Sequence, residues 1–424
     1  MKGRRIAAVV LACFPAAAPA QTTTQLTIDD IFWPDRGKFP AYSAEIDESK
    51  VQFSIFGGVL RDSNPFRLSD STDTQATLGT TSKADTVSRA GVGLKADLPF
   101  SRQRLLLDLQ VQGVNYHTFD VLDHTAYRAS GAWNWQAGDQ WSGAVGYSQR
   151  EFLASLADIQ APIKDMITEN YAFAGGGFRF TPRWRVRGLL DWIKWDHSDP
   201  SRDTLDASIY AGTVGLDYVT PLGNSVGVQS KYSVGDYPNR QVVAGSLVDN
   251  SYYEIESSAV MHWIFTSKSV FDARAGYTSR RQDQVPQRDF DGFTGRVIYD
   301  WFIGPKTLLN FAVWREIRST EDVSASYILS EGWGIGPAWA PTSKIVLQVK
   351  YIREDRDYRG DPGFVASGTP PREDKFRGGN ITLGYTPRRN IQLSVSAEGG
   401  DRESNTAGAD YDYGAVSAYV RFLF

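Results

Sequence analysis

Four histidines and one cysteine are the residues of this chain most suited to metal binding or nucleophilic chemistry. No histidine has a second histidine at ligand spacing, so no metal site is expected. His262 follows Ser258 by four residues, and a serine with a histidine can form a nucleophile and its general base. A histidine that makes an ordinary hydrogen bond in a polar interior explains the same two residues more simply. We therefore expect no catalysed reaction and no cofactor.

The first 20 residues have the features of a secretory signal peptide. Three basic residues precede an apolar run over residues 6–12, and residues 18–20 form a small-x-small cleavage site. Cleavage after Ala20 removes the only cysteine, Cys13, so the mature chain would contain no disulfide. A lipoprotein signal over residues 10–13 is the alternative, although a leucine fits poorly at its second position.

Charge and composition favour a membrane protein without membrane helices. The net charge is -4, and loss of the three basic residues of the signal makes it -7, which gives no indication of nucleic-acid binding. No segment has the roughly 20 apolar residues of a transmembrane helix. Yet the chain is 13% aromatic, with 12 Trp and 20 Tyr. A transmembrane β-barrel combines these properties, because only alternate residues face lipid.

Apolar and polar residues alternate in segments of about 10 to 14 residues. In one segment Leu107, Leu109 and Val111 are interleaved with Asp108 and Gln110. The same alternation occurs at 184–192, 271–277, 345–351 and 391–397. Each segment is predicted to be a strand with one apolar and one polar face.

The connections between these segments indicate which solvent the apolar face meets. Short connections are predicted at 99–103, 136–140, 181–183, 220–224, 266–268, 304–306, 341–343 and 386–389. Longer polar connections lie between them, for example at 61–81, 151–167, 237–248 and 358–373. Alternation of short with long connections is typical of periplasmic turns and extracellular loops.

The predicted fold is all-β, an antiparallel up-and-down outer-membrane β-barrel of about 18 strands over residues 49–424. It must close, because lipid offers no hydrogen-bond partner to an open strand edge. Residues 1–20 are the signal, and residues 21–48 are either a periplasmic tail or a small constriction in the lumen. A plugged receptor would need about 22 strands and a larger N-terminal domain.

The chain ends in alternating apolar residues, and Phe424 is the last of them. This ending resembles the C-terminal signal that the bacterial barrel-assembly machinery recognises. Six tryptophans lie beside predicted tight turns, where an interfacial girdle is expected: Trp133, Trp135, Trp141, Trp184, Trp301 and Trp339. The expected location is therefore the bacterial outer membrane, with outer-membrane lipid and the assembly machinery as partners.

A short motif follows the first predicted strand and reads Asp62, Ser63, Asn64, Pro65, Phe66, Arg67, Leu68. It resembles the exopolysaccharide-biosynthesis outer-membrane protein family EpsL, found with exosortase-linked polysaccharide operons. The resemblance implies export of a polysaccharide, with an exopolysaccharide chain and periplasmic export components as partners. Simple turn chemistry is the alternative explanation of the acidic and amide residues.

Strand parity predicts that a mixed set of charged side chains lines the lumen. The cationic candidates are Arg89, Lys95, Arg128, Arg150, Arg179, Arg185, Arg187, Lys231, Arg274, Arg296, Lys350 and Arg421. The opposing carboxylates include Asp97, Asp108, Asp191, Asp217, Glu254, Glu256, Asp272, Asp300, Glu316 and Glu398. Such charges either brace the wall as cross-strand pairs or form a basic path for an anionic polymer.

The leading hypothesis from the sequence is a passive conduit for exopolysaccharide. The first alternative is a general or substrate-selective diffusion porin, and the second is an outer-membrane barrel hydrolase.

Overall fold

The computed structural model describes residues 50–243, 246–284, 286–318, 327–359 and 370–424. The predicted signal peptide and the segment at 21–48 lie outside these residues. Among the described residues, no helix is both long and apolar enough to span a membrane.

Eighteen antiparallel strands form one closed sheet, as the alternation predicted. The first half comprises β1 (Lys50–Asp62), β2 (Asp85–Phe100), β3 (Gln103–Tyr116), β4 (His124–Ala137), β5 (Trp141–Leu153), β6 (Met166–Arg179), β7 (Trp184–His197), β8 (Ala207–Val219) and β9 (Ser225–Asp236). A small hairpin, β10 (Gln241–Val243) and β11 (Ser246–Val248), lies outside this sheet. The second half comprises β12 (Tyr252–Thr266), β13 (Ser269–Gln282), β14 (Phe290–Gly304), β15 (Thr307–Arg318), β16 (Tyr327–Trp339), β17 (Ile345–Arg359), β18 (Glu373–Arg388), β19 (Ile391–Ser404) and β20 (Tyr411–Leu423).

The barrel closes where the first strand meets the last. β1 pairs with β2 on one side and with β20 on the other, so this seam leaves no free strand edge. Phe424 extends the pairing beyond β20, because its N–H donates to the Phe53 carbonyl at 2.9 Å and its carbonyl accepts from the Phe53 N–H at 3.2 Å. The terminal residue thus completes the seam.

Short and long connections occupy opposite ends of the barrel. All eight predicted tight turns coincide with the short connections, which lie at the end that holds both termini of the sheet. The longer connections lie at the other end, the extracellular end in barrels of this kind. They contain one-turn helices at Thr74–Leu78, Asp120–Leu122, Leu156–Ile159, Pro200–Leu205 and Pro286–Arg288.

The outer face of the sheet is apolar, and its side chains have no protein to cover them. Val51, Phe53 and Ile55 of β1 each expose more than half of their surface, whereas Phe56 on the opposite face is buried. Trp133, Trp141, Trp184, Trp301 and Trp339 are also exposed, and each lies near the turn end of its strand. Large apolar side chains exposed all round a closed sheet are expected of a surface solvated by lipid.

Candidate functional site: the inner wall of the barrel

The inner face of the barrel is identified from strand register. Residues directly opposite one another in an antiparallel pair share a face. Phe56 faces inward on β1 and is opposite Gly91 of β2 and Arg421 of β20. Following these pairs from strand to strand assigns a face to every strand residue in the eighteen-stranded sheet.

The register places all the cationic lumen candidates on the inner face. These residues are Arg89, Lys95, Arg128, Arg150, Arg179, Arg185, Arg187, Lys231, Arg274, Arg296, Lys350 and Arg421. Their contribution to solute passage stays a prediction.

Cations of the inner wall make ion pairs within and between strands. Arg274 binds Glu256 at 2.6 Å and Glu316 at 2.7 Å, and Arg296 binds the same Glu316. Glu354 of β17 is fully buried between Arg318, at 2.6 Å, and Arg356, at 2.7 Å. A buried carboxylate needs such partners, because desolvation of an unpaired charge costs roughly several kcal/mol. These pairs brace the wall.

One part of the inner wall is also covered by apolar and aromatic side chains. Ala312, Trp314, Ile352, Phe376 and Tyr411 form a buried cluster on the inner faces of β15, β17, β18 and β20. The Trp314 indole donates to Ser330 at 2.9 Å, and Ser330 is itself completely buried. Side chains therefore fill the space next to these strands.

Solvent reaches the inner wall on the side formed by β5 to β7. The side chains of Arg150, Arg185 and Arg187 remain 31%, 32% and 28% exposed although each makes an ion pair. Arg179 at the turn end of β6 is more exposed still. A solute in the lumen would meet these guanidinium groups.

A compact group at the centre of this region is formed by two arginines and one carboxylate. Arg185 donates to Asp217 at 2.7 Å, and Arg187 donates to the same carboxylate at 3.1 Å. Arg187 also donates to Gln229 at 2.7 Å. Asp217 is buried. The group keeps one net positive charge, because one carboxylate serves two guanidinium groups.

Three inward-facing glycines make room for this arginine pair. A Cβ at Gly215 would lie 2.9 Å from the Arg187 guanidinium carbon, and one at Gly227 would lie 2.4 Å from an Asp217 oxygen. A Cβ at Gly177 would lie 3.1 Å from the Arg185 side chain. A side chain at any of these positions would force the arginine pair or Asp217 to shift.

The inner face of β4 to β9 has an excess of positive charge. It contains six basic side chains, Arg128, Arg150, Arg179, Arg185, Arg187 and Lys231, and three carboxylates, Glu169, Asp191 and Asp217. Two arginine pairs are directly opposite one another, Arg128 with Arg150 and Arg179 with Arg185. Like charges in such positions destabilise a sheet. The carboxylates of this face offset only part of its positive charge, because they number three against six basic side chains.

The motif at 62–68 forms a tightly bonded turn at the extracellular end. Asp62 accepts from the Asn64 N–H at 2.8 Å and binds Arg67 at 2.9 Å. The Asn64 amide accepts from the Leu68 N–H at 2.9 Å and donates to the Leu68 carbonyl at 2.8 Å. Ser63 connects the turn to β20, because its hydroxyl accepts from the Gly414 N–H at 2.8 Å. The polar groups of the motif are thus used within the fold.

Arg67 is the most constrained residue of this turn. It has a φ of 53°, in the left-handed region that a residue with a side chain rarely occupies. Its guanidinium lies 3.6 Å from the centre of the Tyr413 ring. Burial lowers the pKa of Arg67, but the Asp62 carboxylate and the Tyr413 and Tyr411 side chains raise it by more, so its pKa lies above the ordinary value. Arg67 therefore stays charged inside the protein.

Three extracellular loops, at 63–84, 117–123 and 154–165, meet in an apolar cluster at the barrel mouth. The mouth cluster comprises Leu60, Phe66, Leu68, Leu78, Val87, Val114, Tyr116, Phe119, Leu122, Leu153, Leu156, Met166 and Ala415. Loop residues such as Phe66 here contact inward-facing strand residues such as Val87 and Val114. The loops therefore fold into the mouth against β1 to β3 and narrow it. The sequence interpretation missed this cluster, although several apolar residues in otherwise polar loops were a usable signal.

Ser258 and His262 do not form a nucleophile pair. Both face inward on β12, but four residues along a strand span roughly 13 Å. His262 bonds instead through Nδ1 to Asp272 at 2.6 Å. Ser258 is buried, and its hydroxyl makes no hydrogen bond within the described part of the chain. In the same residues, no cluster of three or more His, Cys, Asp or Glu side chains is arranged to hold a metal ion.

Comparison with known proteins adds a family match for the C-terminal part of the chain. Residues 261–424 match the family described as "Putative beta-barrel porin 2". This part of the chain is porin-like. Comparison with curated proteins gives no match.

Three of the solved structures that are similar to this barrel show the extent of the likeness. OccAB3 of Acinetobacter baumannii has 10% identity and a TM-score of 0.48, with 89% of this chain and 100% of that chain covered. Pseudomonas aeruginosa OccK2 (OpdF), solved in complex with glucuronate, has 10% identity and a TM-score of 0.48, with 89% and 99% covered. A BenF-like porin from Pseudomonas fluorescens Pf-5 has 8% identity and a TM-score of 0.49, with 89% and 100% covered.

These findings correct two expectations from the sequence. The assignment to the EpsL family is wrong, because the family that matches is a porin family. The exopolysaccharide conduit is wrong for the same reason, and the porin alternative is the one supported. The motif that suggested EpsL is explained by structure, since Asp62, Asn64 and Arg67 bind one another in a buried turn. The protein is a porin-like outer-membrane β-barrel.

Proposed function

We propose that this protein is a diffusion porin whose lumen favours small anionic solutes. The observation that carries the proposal is the solvent-accessible inner wall of β4 to β9. Six basic side chains and only three carboxylates lie on this wall. Fixed charge in a confined aqueous space concentrates ions of opposite sign. The match of residues 261–424 to a porin family supports passage of solutes without a chemical reaction.

The narrowed mouth supports selection by size as well as by charge. The mouth cluster holds the loops against β1 to β3, and the buried cluster of β15 to β20 fills the wall on another side. In this proposal the solute path lies along the solvent-accessible basic wall. Solutes with a carboxylate or phosphate would therefore pass close to Arg185 and Arg187, with which they can form charge-assisted hydrogen bonds.

Ion selectivity in planar bilayers tests this proposal. The double variant Arg185→Glu plus Arg187→Glu changes the lumen charge by four units, and we expect the reversal potential in a salt gradient to move toward cation selectivity. Lys231→Glu should move it in the same direction by less. Lys231→Glu perturbs the fold less, because Lys231 has no ion pair among the described residues that the substitution would break.

Lys194→Glu provides the matched control. Lys194 lies on β7 with Arg185 and Arg187 but faces outward, where its side chain is 41% exposed. Reversing the charge of this outward-facing side chain should leave ion selectivity unchanged. If the lumen variants fold and conduct with the wild-type reversal potential, the basic wall does not line the solute path and the anion preference is wrong.

A further inference from the structure

The outer surface of the barrel carries a row of one aromatic and three charged residues close to its extracellular end. Trp333, Arg353, Arg377 and Asp401 are directly opposite one another on β16, β17, β18 and β19. They face outward, since the residues that precede Arg353 and Arg377, Ile352 and Phe376, are buried in the lumen cluster. This outer row lies on a wall that is otherwise apolar toward the turn end.

Arg353 has no carboxylate partner in the described part of the chain, and it is exposed. Its cross-strand neighbour Arg377 donates to Asp401 and to Glu403, each at 2.8 Å, and remains 49% exposed. Two arginines directly opposite one another repel. Asp401 and Glu403 already offset the charge of Arg377, so Arg353 is the guanidinium of this pair that is left for an external anion.

The surface next to the outer row, on its turn-end side, is suited to hydrocarbon. Ile335, Tyr351, Gly379, Gly399 and Gly414 succeed one another across β16 to β20. The Tyr351 and Trp333 rings lie 5.6 Å apart and form the aromatic edge of this surface. Because the three glycines have no side chains, the outer surface is recessed beside the rings. A Cβ at Gly414 would meet no atom within 4 Å. An acyl chain could lie there against the backbone.

Arg353 therefore stands at the boundary between a charged and an apolar outer surface. Aromatic residues mark the membrane interface, and lipid headgroups lie at the same level. Guanidinium groups bind phosphate with two parallel hydrogen bonds, which makes arginine the favoured residue for that ligand. The charge of Arg353, its level in the membrane interface and the shape of the neighbouring surface therefore all suit a phosphorylated lipid.

We propose that Arg353 and Arg377 bind the phosphate of a phosphorylated outer-leaflet lipid, whose acyl chains lie against Tyr351 and the neighbouring glycine row. The contact ties the β16 to β19 side of the barrel to the surrounding lipid. It is independent of the solute that passes through the lumen.

Native mass spectrometry of the full chain in detergent, with added diphosphorylated lipid A, tests the proposal. Arg353→Ala should reduce the bound fraction of lipid A roughly fivefold, the effect of one basic side chain at an anionic membrane surface. Arg353→Lys should retain part of the binding, because the charge remains and the paired hydrogen bonds are lost. Dephosphorylated lipid A should bind wild-type protein as weakly as lipid A binds Arg353→Ala.

Arg281→Ala is the matched control, because Arg281 also faces outward near the extracellular end but is paired with Asp291 at 2.8 Å. It should bind lipid A as wild type does. Equal binding by folded Arg353→Ala and wild type would overturn the proposal. If inorganic phosphate alone displaces lipid A, the two arginines form a simple anion site and the lipid proposal is wrong. If wild type forms a dimer that Arg353→Ala does not form, the surface serves self-association and the lipid proposal is also wrong.

Discussion

At the scale of single residues, the face on which a charged side chain lies decides the free energy of its burial and the partners it meets. Asp217 is buried and balances two arginines, so the inner wall keeps a positive charge without an unpaired buried carboxylate. Arg67 remains charged in a buried turn because Asp62 and two tyrosines outweigh the cost of its burial. The same residue types on the outer wall would meet lipid instead.

A pair of adjacent substitutions in β3 tests the assignment of faces. Leu109 faces outward and is 41% exposed, whereas Gln110 faces inward opposite Arg128. Arg at a lipid-facing position near the bilayer midplane costs about 2 to 4 kcal/mol, so Leu109→Arg should lower the free energy of unfolding by about that amount. Gln110→Arg should have a smaller effect, limited to its repulsion from Arg128, at most about 1 kcal/mol. Denaturant unfolding in lipid vesicles measures both, and equal effects would mean that the faces are assigned incorrectly.

Removal of Arg67 tests the turn at the mouth. Arg67→Ala leaves the Asp62 carboxylate buried without its partner, and loss of one partner of a buried pair costs about 3 to 5 kcal/mol. We expect faster proteolysis within residues 63–84 and a lower unfolding midpoint. Lys83→Ala is the control, because its partner Asp70 is exposed and little stability should change. Resistance of Arg67→Ala to protease would show that the turn does not depend on this pair.

At the scale of elements, strand register turns a linear pattern into a wall with a defined composition. The closing pair of β1 and β20 matters most, because every other strand already has two neighbours along the sheet. Phe424 contributes two backbone hydrogen bonds to that seam through Phe53. The same residue is the proposed recognition signal for the assembly machinery.

Deletion of Phe424 should therefore reduce the amount of folded barrel in the outer membrane. The deletion removes two seam hydrogen bonds and the proposed recognition signal. Quantification of the heat-sensitive folded band in outer-membrane fractions measures the effect. Phe424→Tyr retains an aromatic terminus and both backbone bonds, so it should accumulate normally, while unchanged levels of the deletion variant would count against both roles.

At the scale of the whole molecule, the net charge conceals a separation of charge. The chain carries a net charge of -4, yet the inner face of β4 to β9 has twice as many basic as acidic side chains. Net charge reports solubility and average field, whereas selectivity follows from the charges that line the path.

The closed barrel also predicts a simple behaviour on gels. Unboiled protein in detergent should migrate differently from boiled protein, because the closed sheet resists the detergent until heat unfolds it. Its circular dichroism should be dominated by β-structure. A helical spectrum, or identical migration before and after boiling, would contradict the closed sheet.

The sequence alone was sufficient for the barrel, the strand number, the tight turns and the two faces. The physical reason is local: side chains alternate across a strand with a period of two, so the sequence records which residues share a face. Leu109 and Gln110 show this directly. Turn positions are also local, because short links between long strands leave little freedom.

Only the tertiary structure decided which side chains meet. Asp217 is 30 residues from Arg187 along the chain, and Asn64 is 348 residues from Asp412, to whose carbonyl it bonds. Such contacts depend on register, closure and the folding of loops into the mouth, none of which leaves a periodic signal. The motif at 62–68 is an example: its turn chemistry could be predicted locally, whereas its packing against β20 and two other loops could not.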